Sequence, residues 1–496
     1  MRQVHFTYDR TMAWVREVLV DGKPREIEAK PLFECMSLWA KQEPEAIFTW
    51  APEGLDAEPL QQKALTLDGT DALIFSCTKQ HESWLQELGL VYFDRPYFNR
   101  QDCNLYPSMV MGLGIGMGPS SAFLGFKKSS DNPHADALCL GLSLIDKGWS
   151  LLFDAQLSYT DEQLHRGPVR QALALHVVKQ KKWIWTLFFC GLKGKISRIK
   201  KITACVGAFF KRLPEIQAES PKNTKNIASL PQTYEVIIPS LGRDKFLLKT
   251  LDDLAKQTWL PTKVHVIEQK PQGETSSLVD KFQAYPFALE HQCIHTLGAC
   301  NARNLALAAC QSDWVFLADD DIEMEAKLLD QARKFLAQSQ AKMLSFRVVH
   351  AGEKKPGQAK TIHHRFGSGC TFMQRIPGLR FDMRFEKGYG EDLDFGVQAR
   401  KLLGSHVLQN DQLQLFHHKA PAGGFRFPKE HPWHAAGDQP KPAPHMMAYY
   451  LKNASALQLK GFKTHYLWPK SMQQCMQIFK AQKAWKNSKE WALQLA

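Results

Sequence analysis

The stretch Trp314-Val315-Phe316-Leu317-Ala318-Asp319-Asp320-Asp321 (WVFLADDD) decides how the chain reads. Five apolar residues in succession read as a strand buried on both faces. Three carboxylates follow at once. Adjacent carboxylates repel one another, so a strand end collects them only with a compensating cation. Hard divalent ions take oxygen ligands, and Mg2+ or Mn2+ commonly binds one or two carboxylates plus substrate phosphates. Asp319 and Asp321 have the D-x-D spacing that lets two carboxylates converge on one ion and a diphosphate. A solvated acidic turn, with Asp321 capping the next helix, is the alternative.

Outward from this stretch the pattern is regular. Tyr234–Pro239 (YEVIIP) and Lys263–Glu268 (KVHVIE) read as strands. Phe246–Thr258 has helix spacing at Phe246, Leu247, Leu251 and Leu254, and Ala302–Ala309 is helical. Short β-α-β-α-β alternation predicts an α/β domain with a parallel sheet, whose ligands bind at the carboxyl ends of the strands. A second acidic run, Gly388-Tyr389-Gly390-Glu391-Asp392-Leu393-Asp394-Phe395, opens a helix. Acids are favourable there for dipole reasons alone. A carboxylate among other acids and apolar walls also has its pKa raised toward working pH, as a general base requires. Leu413–Phe416 reads as a short strand ending in His417-His418. Neighbouring strand residues face opposite ways, so at most one of the two reaches the site.

In this order the residues resemble family 2 glycosyltransferases of the GT-A fold. The carriers are IIPSLGRDKFLLKTLDDLAKQ (237–257), GACNARNLALAACQSDWVFLADDD (298–321), GSGCTFMQR (367–375) and FDMRFEKGYGEDLDFGVQARKLLG (381–404). The resemblance implies an enzyme that moves a sugar from a nucleotide-sugar donor, a UDP-sugar, to an acceptor hydroxyl with inversion. Mn2+ or Mg2+ would be its cofactor. Asp319 and Asp321 would bind metal and diphosphate, with His417 or His418 completing the metal site. Asp320 would hold the donor sugar or ribose. Pro239, Ser240, Arg243, Glu268, Arg303 and Asn304 would line the donor pocket. Glu268 stands where the family often has Asp. Asp392 would be the base, Glu391 would orient the acceptor, and Asp394 is a second candidate base. A nucleotidyltransferase or a donor-binding scaffold without turnover would use similar carboxylates.

The chain has 496 residues, 44% hydrophobic and 23% charged, which excludes a disordered or collagenous protein and predicts two to three domains. Its 11 cysteines are an odd number with no C-x-x-C pair, pointing to a reducing compartment. The expected organisation is an accessory α/β domain at 1–215, a polar linker at 216–233, the GT-A domain at 234–425 and a basic helical extension at 426–496. Ala46–Trp50, Ala72–Ser76 and Trp149–Phe153 read as strands of the first part. Its segments 119–128 and 136–167 run like the late half of a GT-A domain. There Ala135-Asp136-Ala137 occupies the Glu-Asp position, and no D-x-D precedes it. This implies a degenerate, catalytically silent GT-A-like domain; an unrelated accessory domain is the alternative. Gly112, Gly114, Gly116 and Gly118 lack the register of a phosphate loop.

The net charge of +13 favours anionic partners. Ten Lys or Arg and no acid lie between Lys179 and Arg212, interleaved with Trp and Phe. That composition suits an interfacial helix on anionic lipid. Lys452–Lys489 carries eight lysines and no acid, with Met472, Cys475, Met476 and Phe479 on one helix side. The acceptor is then expected to be a glycan, a polysaccharide or a lipid-linked sugar, made for the cell envelope. The protein is expected in the cytoplasm, on the inner face of the cell membrane, with no signal peptide and no nucleic-acid module.

Overall fold

The computed structural model describes the chain except residues 1, 11, 57, 65–71, 77–104, 108–110, 129, 148, 158–169, 173, 176–196, 212–214, 217–230, 283, 340, 351–352, 354–360, 364–365, 387, 404, 406, 421–430, 455–458, 460–461, 464–465, 468–477 and 496. Two units divide it. The first is Met1–Asn226 with Gln338–Gln340 and Ala456–His465; the second is Ile227–Ala337, Ala341–Ser455 and Tyr466–Ala496. The basic extension is therefore divided, since 456–465 groups with the first unit. Most of the expected linker, and the tracts 176–196 and 468–477, lie outside the described residues.

The first unit contains β1 (Gln3–Tyr8), β2 (Val15–Val20), β3 (Lys23–Arg25), β4 (Ile47–Pro52), β5 (Ala72–Ser76), β6 (Leu105–Pro107), β7 (Ile115–Pro119), β8 (Phe126–Lys128), β9 (Ser150–Asp154) and β10 (Glu215–Ile216). Its main sheet has the order β3-β2-β1-β4-β7-β5-β9-β6. The alternating glycines serve packing: a side chain at Gly116 would strike the Trp50 ring, and one at Gly118 would strike Leu73.

The second unit contains β11 (Tyr234–Ser240), β12 (Lys263–Gln269), β13 (Ala288–Ile294), β14 (Trp314–Ala318), β15 (Ile322–Glu323), β16 (Met343–Ser345), β17 (Arg347–Val349), β18 (Thr361–His363), β19 (Cys370–Gln374), β20 (Val407–Asn410) and β21 (Gln414–His417). Its main sheet runs β13-β12-β11-β14-β19-β16-β20-β18, and β15-β21-β17 form a small second sheet. The apolar run of β11 feeds both faces: Val236 and Ile238 join one core with Leu247 and Leu251, and Ile237 joins another with Leu317 and Phe395. This is why the strand shows no polar alternation. Two helices beside the site span Asp244–Ala255 and Ala299–Ala309; each starts earlier than the apolar spacing predicts, and the first ends at Ala255, short of Thr258. First-turn residues of a helix need not face the core, so periodicity misses them.

One rung crosses each main sheet in the same way. In the second unit it runs Val236, Phe316, Phe372, Leu344, Leu408, His363. In the first it runs His5, Thr49, Met117, Ile74, Leu152, Pro107. Chain order and strand direction agree across all six strands. A packing landmark agrees too. Phe366 lies against Gly396, and Met111, equally far before its rung residue, lies against Gly141.

At the amino end of β11, Glu235 is buried and fixes the loop before β14. It accepts backbone N–H bonds from Gln311 (2.8 Å) and Ser312 (2.6 Å), and its other oxygen meets His265 Nε2 at 2.5 Å. Burial alone would raise its pKa, but His265 and the two N–H groups hold it down to about 2. Glu235→Ala leaves His265 and two loop amides without their acceptor. It is expected to cost about 3–5 kcal/mol, read as a lower midpoint in denaturant unfolding. An unchanged midpoint would show that the loop does not depend on this carboxylate.

Candidate active site

The sheet register assembles the site. β14 ends at Ala318, so Asp319–Asp321 leave its carboxyl end. β15 then pairs antiparallel with β21, placing Ile322 opposite His417. His417 therefore sits next to the carboxylates: its Nε2 lies 3.1 Å from Asp321 Oδ1 and 4.0 Å from Asp319 Oδ2. Ligand atoms of Asp319, Asp321 and His417 all lie within 4.8 Å of one another. The two carboxylate oxygens are of the ligand type that Mn2+ or Mg2+ takes. His418, the next residue, turns the other way and meets Glu323 Oε2 at 3.1 Å. The alternation of side chains along an extended chain keeps it out of the cluster.

The carboxylates are held from several sides. Asp321 is 1% exposed; Arg243 lies 3.3 Å away and the Ala420 N–H donates to it at 2.9 Å. Burial pushes its pKa up, but His417, the Ala420 N–H and Arg243 outweigh that and lower it to about 2. The same contact with Asp321 raises the His417 pKa. Asp320 is buried and engaged by Ser240 Oγ (2.7 Å) and Arg243 (3.0 Å). Burial lifts it to about 6 despite these partners. Arg303, from the helix Ala299–Ala309, donates to Asp319 at 2.9 Å.

The second acidic run opens the helix Glu391–Leu403. The stacking of Phe381 on Phe395, 4.1 Å between ring centroids, anchors this helix. Burial raises the Asp392 pKa, while Arg303 and bonds from Ser368 oppose the rise. Asp392 Oδ1 is buried with no hydrogen-bond partner among the described residues. Glu391 is pushed up to about 7, by burial first and by the charge of Asp392 second. Asp394 is 1% exposed and does not join them. It accepts from Lys452 Nζ (2.8 Å) and Asn453 Nδ2 (2.8 Å), tying this helix to Pro444–Asn453. Two residues on from Asp392, the helix has turned by about 200°, which carries Asp394 to another face.

Residues 235–398 match the family model for glycosyl transferase family 2. The second unit carries a family 2 glycosyltransferase domain. Its main sheet is a parallel-rich α/β sheet, and its activity is glycosyl transfer. Among solved structures the chain is similar to S. aureus TarS 1–349 in complex with UDP-GlcNAc, with 15% identity and a TM-score of 0.38, over 53% of this chain and 81% of that one. It is also similar to GalNAc-T7 with UDP, GalNAc and Mn2+, with 12% identity and a TM-score of 0.32, over 38% and 44%. No curated protein matches the sequence.

Within this glycosyltransferase domain the remaining predicted donor residues have defined places. Pro239 and Ser240 close β11. Glu268 is 1% exposed and held by Lys270 (3.2 Å) and His291 (2.9 Å). Asn304 clamps the backbone of Phe381, donating to its carbonyl at 2.9 Å and accepting its N–H at 2.7 Å. It thereby fixes the approach to the second acidic run. Sequence reading missed Ser368, Lys452 and the rings of His431 and Trp433. The signal for the rings was His431-Pro432-Trp433-His434, an aromatic cluster placed inside the extension without a role.

Proposed function

We propose that the second unit transfers the sugar of a UDP-sugar to a hydroxyl of a glycan, polysaccharide or glycolipid acceptor, with inversion. The observation that carries this reading is Arg303. Its guanidinium bonds Asp319 in the metal-type cluster and its charge acts on Asp392. The two acidic motifs thus share one electrostatic site. A divalent ion held by Asp319, Asp321 and His417 would supply the Lewis acidity that neutralises the diphosphate leaving group. Asp392 accepts the proton of the attacking hydroxyl as the new bond to the anomeric carbon forms. The bond from that carbon to the diphosphate oxygen breaks, and the nucleoside diphosphate departs with the electron pair. Arg243 and Arg303 hold the acidic groups in place. The test is nucleotide release from a panel of UDP-, GDP- and dTDP-sugars with Mn2+. Release of a nucleoside diphosphate from one donor supports the reading; release of pyrophosphate would replace it with nucleotidyl transfer.

Glu391 gives the reaction a pH dependence. Asp392, Arg303, Cys300 and Glu386 face it, and His431, His434 and His445 line the same cavity. It accepts a hydrogen bond from the acceptor more strongly as a carboxylate than as the neutral acid. The acceptor KM is therefore expected to rise as pH falls from about 8 to about 6, and Glu391→Gln to flatten that rise. An unchanged profile in the variant would assign the titration elsewhere. The same shift lowers stability as pH rises from 4.5 to about 7, because the unfolded chain releases this proton first.

The first unit is a second, catalytically silent GT-A-like domain. Carried along the shared rungs, the positions of Asp319, Asp320 and Asp321 fall on Pro52, Glu53 and Gly54. Counted from Gly396 and Gly141, Glu391 and Asp392 correspond to Asp136 and Ala137. The metal pair and the base thus have no counterparts.

The protein also associates with an anionic membrane surface, in a cytoplasmic setting. No helix among the described residues is long and apolar enough to cross a membrane. The helix Arg198–Phe209 exposes Ile199 (75%), Ile202 (50%), Val206 (55%) and Phe209 (63%), followed by Phe210 (88%). This spacing is one helical face, flanked by Arg198, Lys200 and Lys211 with no acid. Anionic lipid matches both the charge and the apolar stripe. The protein is expected to float with phosphatidylglycerol-containing vesicles and less with phosphatidylcholine alone. Phe209→Ala with Phe210→Ala is expected to weaken the binding about tenfold or more. Equal flotation of variant and wild type would remove the helix from the interface.

A further inference from the structure

A cavity of about 600 Å3 opens beside Glu391, within the second unit. Its volume lies in the ~300–1,000 Å3 range of small-molecule sites. The family motif supplies only one side. The other side is the chain's own C-terminal extension, through Trp433, His434, Asp438, Lys441 and His445. The first side presents Tyr389 for an identifiable reason. Gly388 has no room for a side chain, since a Cβ there would lie 2.0 Å from the His445 ring. Gly390 has φ +117°, a conformation that L side chains rarely adopt. Between these glycines Tyr389 stands 74% exposed at the cavity rim. On the far side Trp433 is buried, with His431 stacked on it at 4.2 Å and 13° between planes. Trp491 packs edge-on behind Trp433 at 6.2 Å. His434 is exposed at the mouth.

Most charged groups here already have structural work. Glu386 accepts the Cys300 and Asn301 N–H groups at the start of the helix Ala299–Ala309, at 3.1 and 2.7 Å. Asp438 accepts from Asn487 (2.7 Å) and Trp491 (2.8 Å). Burial and the charge of Asp392 raise the Glu391 pKa to about 7. Among the described residues, one lysine, Lys441, and no arginine line the space. Phosphate recognition uses clustered cations or helix N-termini. Of the helices that start at the cavity, Ala299–Ala309 has its first amides occupied by Glu386, Glu391–Leu403 opens on its own acids, and Pro444–Asn453 opens on a proline without an N–H. Aromatic faces beside side-chain hydrogen-bond partners instead match a ring with one C–H face and a rim of hydroxyls.

From these contacts we infer that the C-terminal extension completes an acceptor subsite for an uncharged pyranoside ring, between Tyr389 and the His431–Trp433 pair, with a hydroxyl directed to Glu391. This rests on the glycosyl-transfer reading above and names the acceptor class for it. The two exposed rings that line the space, Tyr389 and His434, contribute to acceptor affinity, and the largely buried Trp433 backs the wall and holds the extension.

The test is saturation-transfer NMR on the full chain with methyl β-glycopyranosides of glucose, galactose and N-acetylglucosamine. The same samples are titrated with UDP and Mn2+ by calorimetry. One glycoside is expected to bind, with saturation strongest on its ring C–H protons. Tyr389→Ala with His434→Ala is expected to raise its Kd about tenfold and to leave the UDP–Mn2+ affinity within about twofold. Thermal unfolding of the variant checks that the extension still folds. No glycoside binding while UDP–Mn2+ binds would overturn the subsite and leave the glycosyl-transfer reading standing. Equal glycoside binding by variant and wild type would overturn it too, as would preferential binding of glycerol phosphate. Loss of UDP–Mn2+ binding in the wild type would overturn the functional reading and this subsite with it.

Discussion

Asp321→Ala is expected to reduce metal-dependent release of nucleotide from the donor by about three orders of magnitude or more. Two effects act together. The substitution removes one of the two carboxylates that meet His417, so the cluster keeps one acid and one imidazole. It also leaves the Ala420 N–H without its acceptor, while Arg243 keeps Asp320. The second effect weakens the fold locally, because a buried donor that loses its partner costs about 1–3 kcal/mol. Asp321→Asn separates the two. An amide oxygen can still accept from Ala420, but a neutral side chain binds a divalent ion poorly. The asparagine variant is therefore expected to unfold close to wild type and yet to lose Mn2+ affinity and nucleotide release almost as fully as the alanine variant. Nucleotide release at the wild-type rate in either variant would show that Asp321 is a structural acid and that the cluster is not the metal site.

Strand identity was legible because the apolar runs of the second unit are buried on both faces. Trp314–Ala318 is the same five residues in sequence and structure. Tyr234–Pro239 extends by one residue to Ser240, which is polar and closes the strand by bonding Asp320. Convergence of Asp319, Asp321 and His417 was legible in residue type but not in geometry. It depends on the pairing of β15 with β21, two short strands whose register has no local signal. The same register decides between His417 and His418. Asp394 shows the opposite limit. Its sequence context is that of Asp392, but its partners Lys452 and Asn453 come from the extension. Long-range pairing of this kind leaves no periodicity to read. The cavity beside Glu391 was hidden for the same reason: Tyr389 and Trp433 come from separate segments, and only folding brings them to one cavity. The likeness of the two units rests on strand order and register, which survive when side-chain chemistry has changed.

Asp392→Asn tests the other half of the site. Removing a general base typically lowers the rate about 10²–10⁴-fold. The expected pattern is selective. Transfer to the acceptor collapses, while Mn2+ and nucleotide affinity stay near wild type, because Asp392 is not among the residues that meet at His417. An asparagine keeps the volume of the side chain and can still accept a bond from Ser368, so packing around Phe395 is preserved. One oxygen of Asp392 is buried without a hydrogen-bond partner among the described residues, which is costly to maintain for stability alone. Removing the charge is therefore expected to leave the melting temperature unchanged or to raise it, as at sites where function is kept at the expense of stability. A variant that is more stable, binds nucleotide and fails to transfer would identify Asp392 as the base. A variant that transfers normally would move the role to Glu391, the other carboxylate of the pair, whose pKa of about 7 also suits it. The double substitution then decides between them: additive losses would mean that each carboxylate contributes separately, whereas a loss no greater than that of one single variant would mean that the two act as a unit.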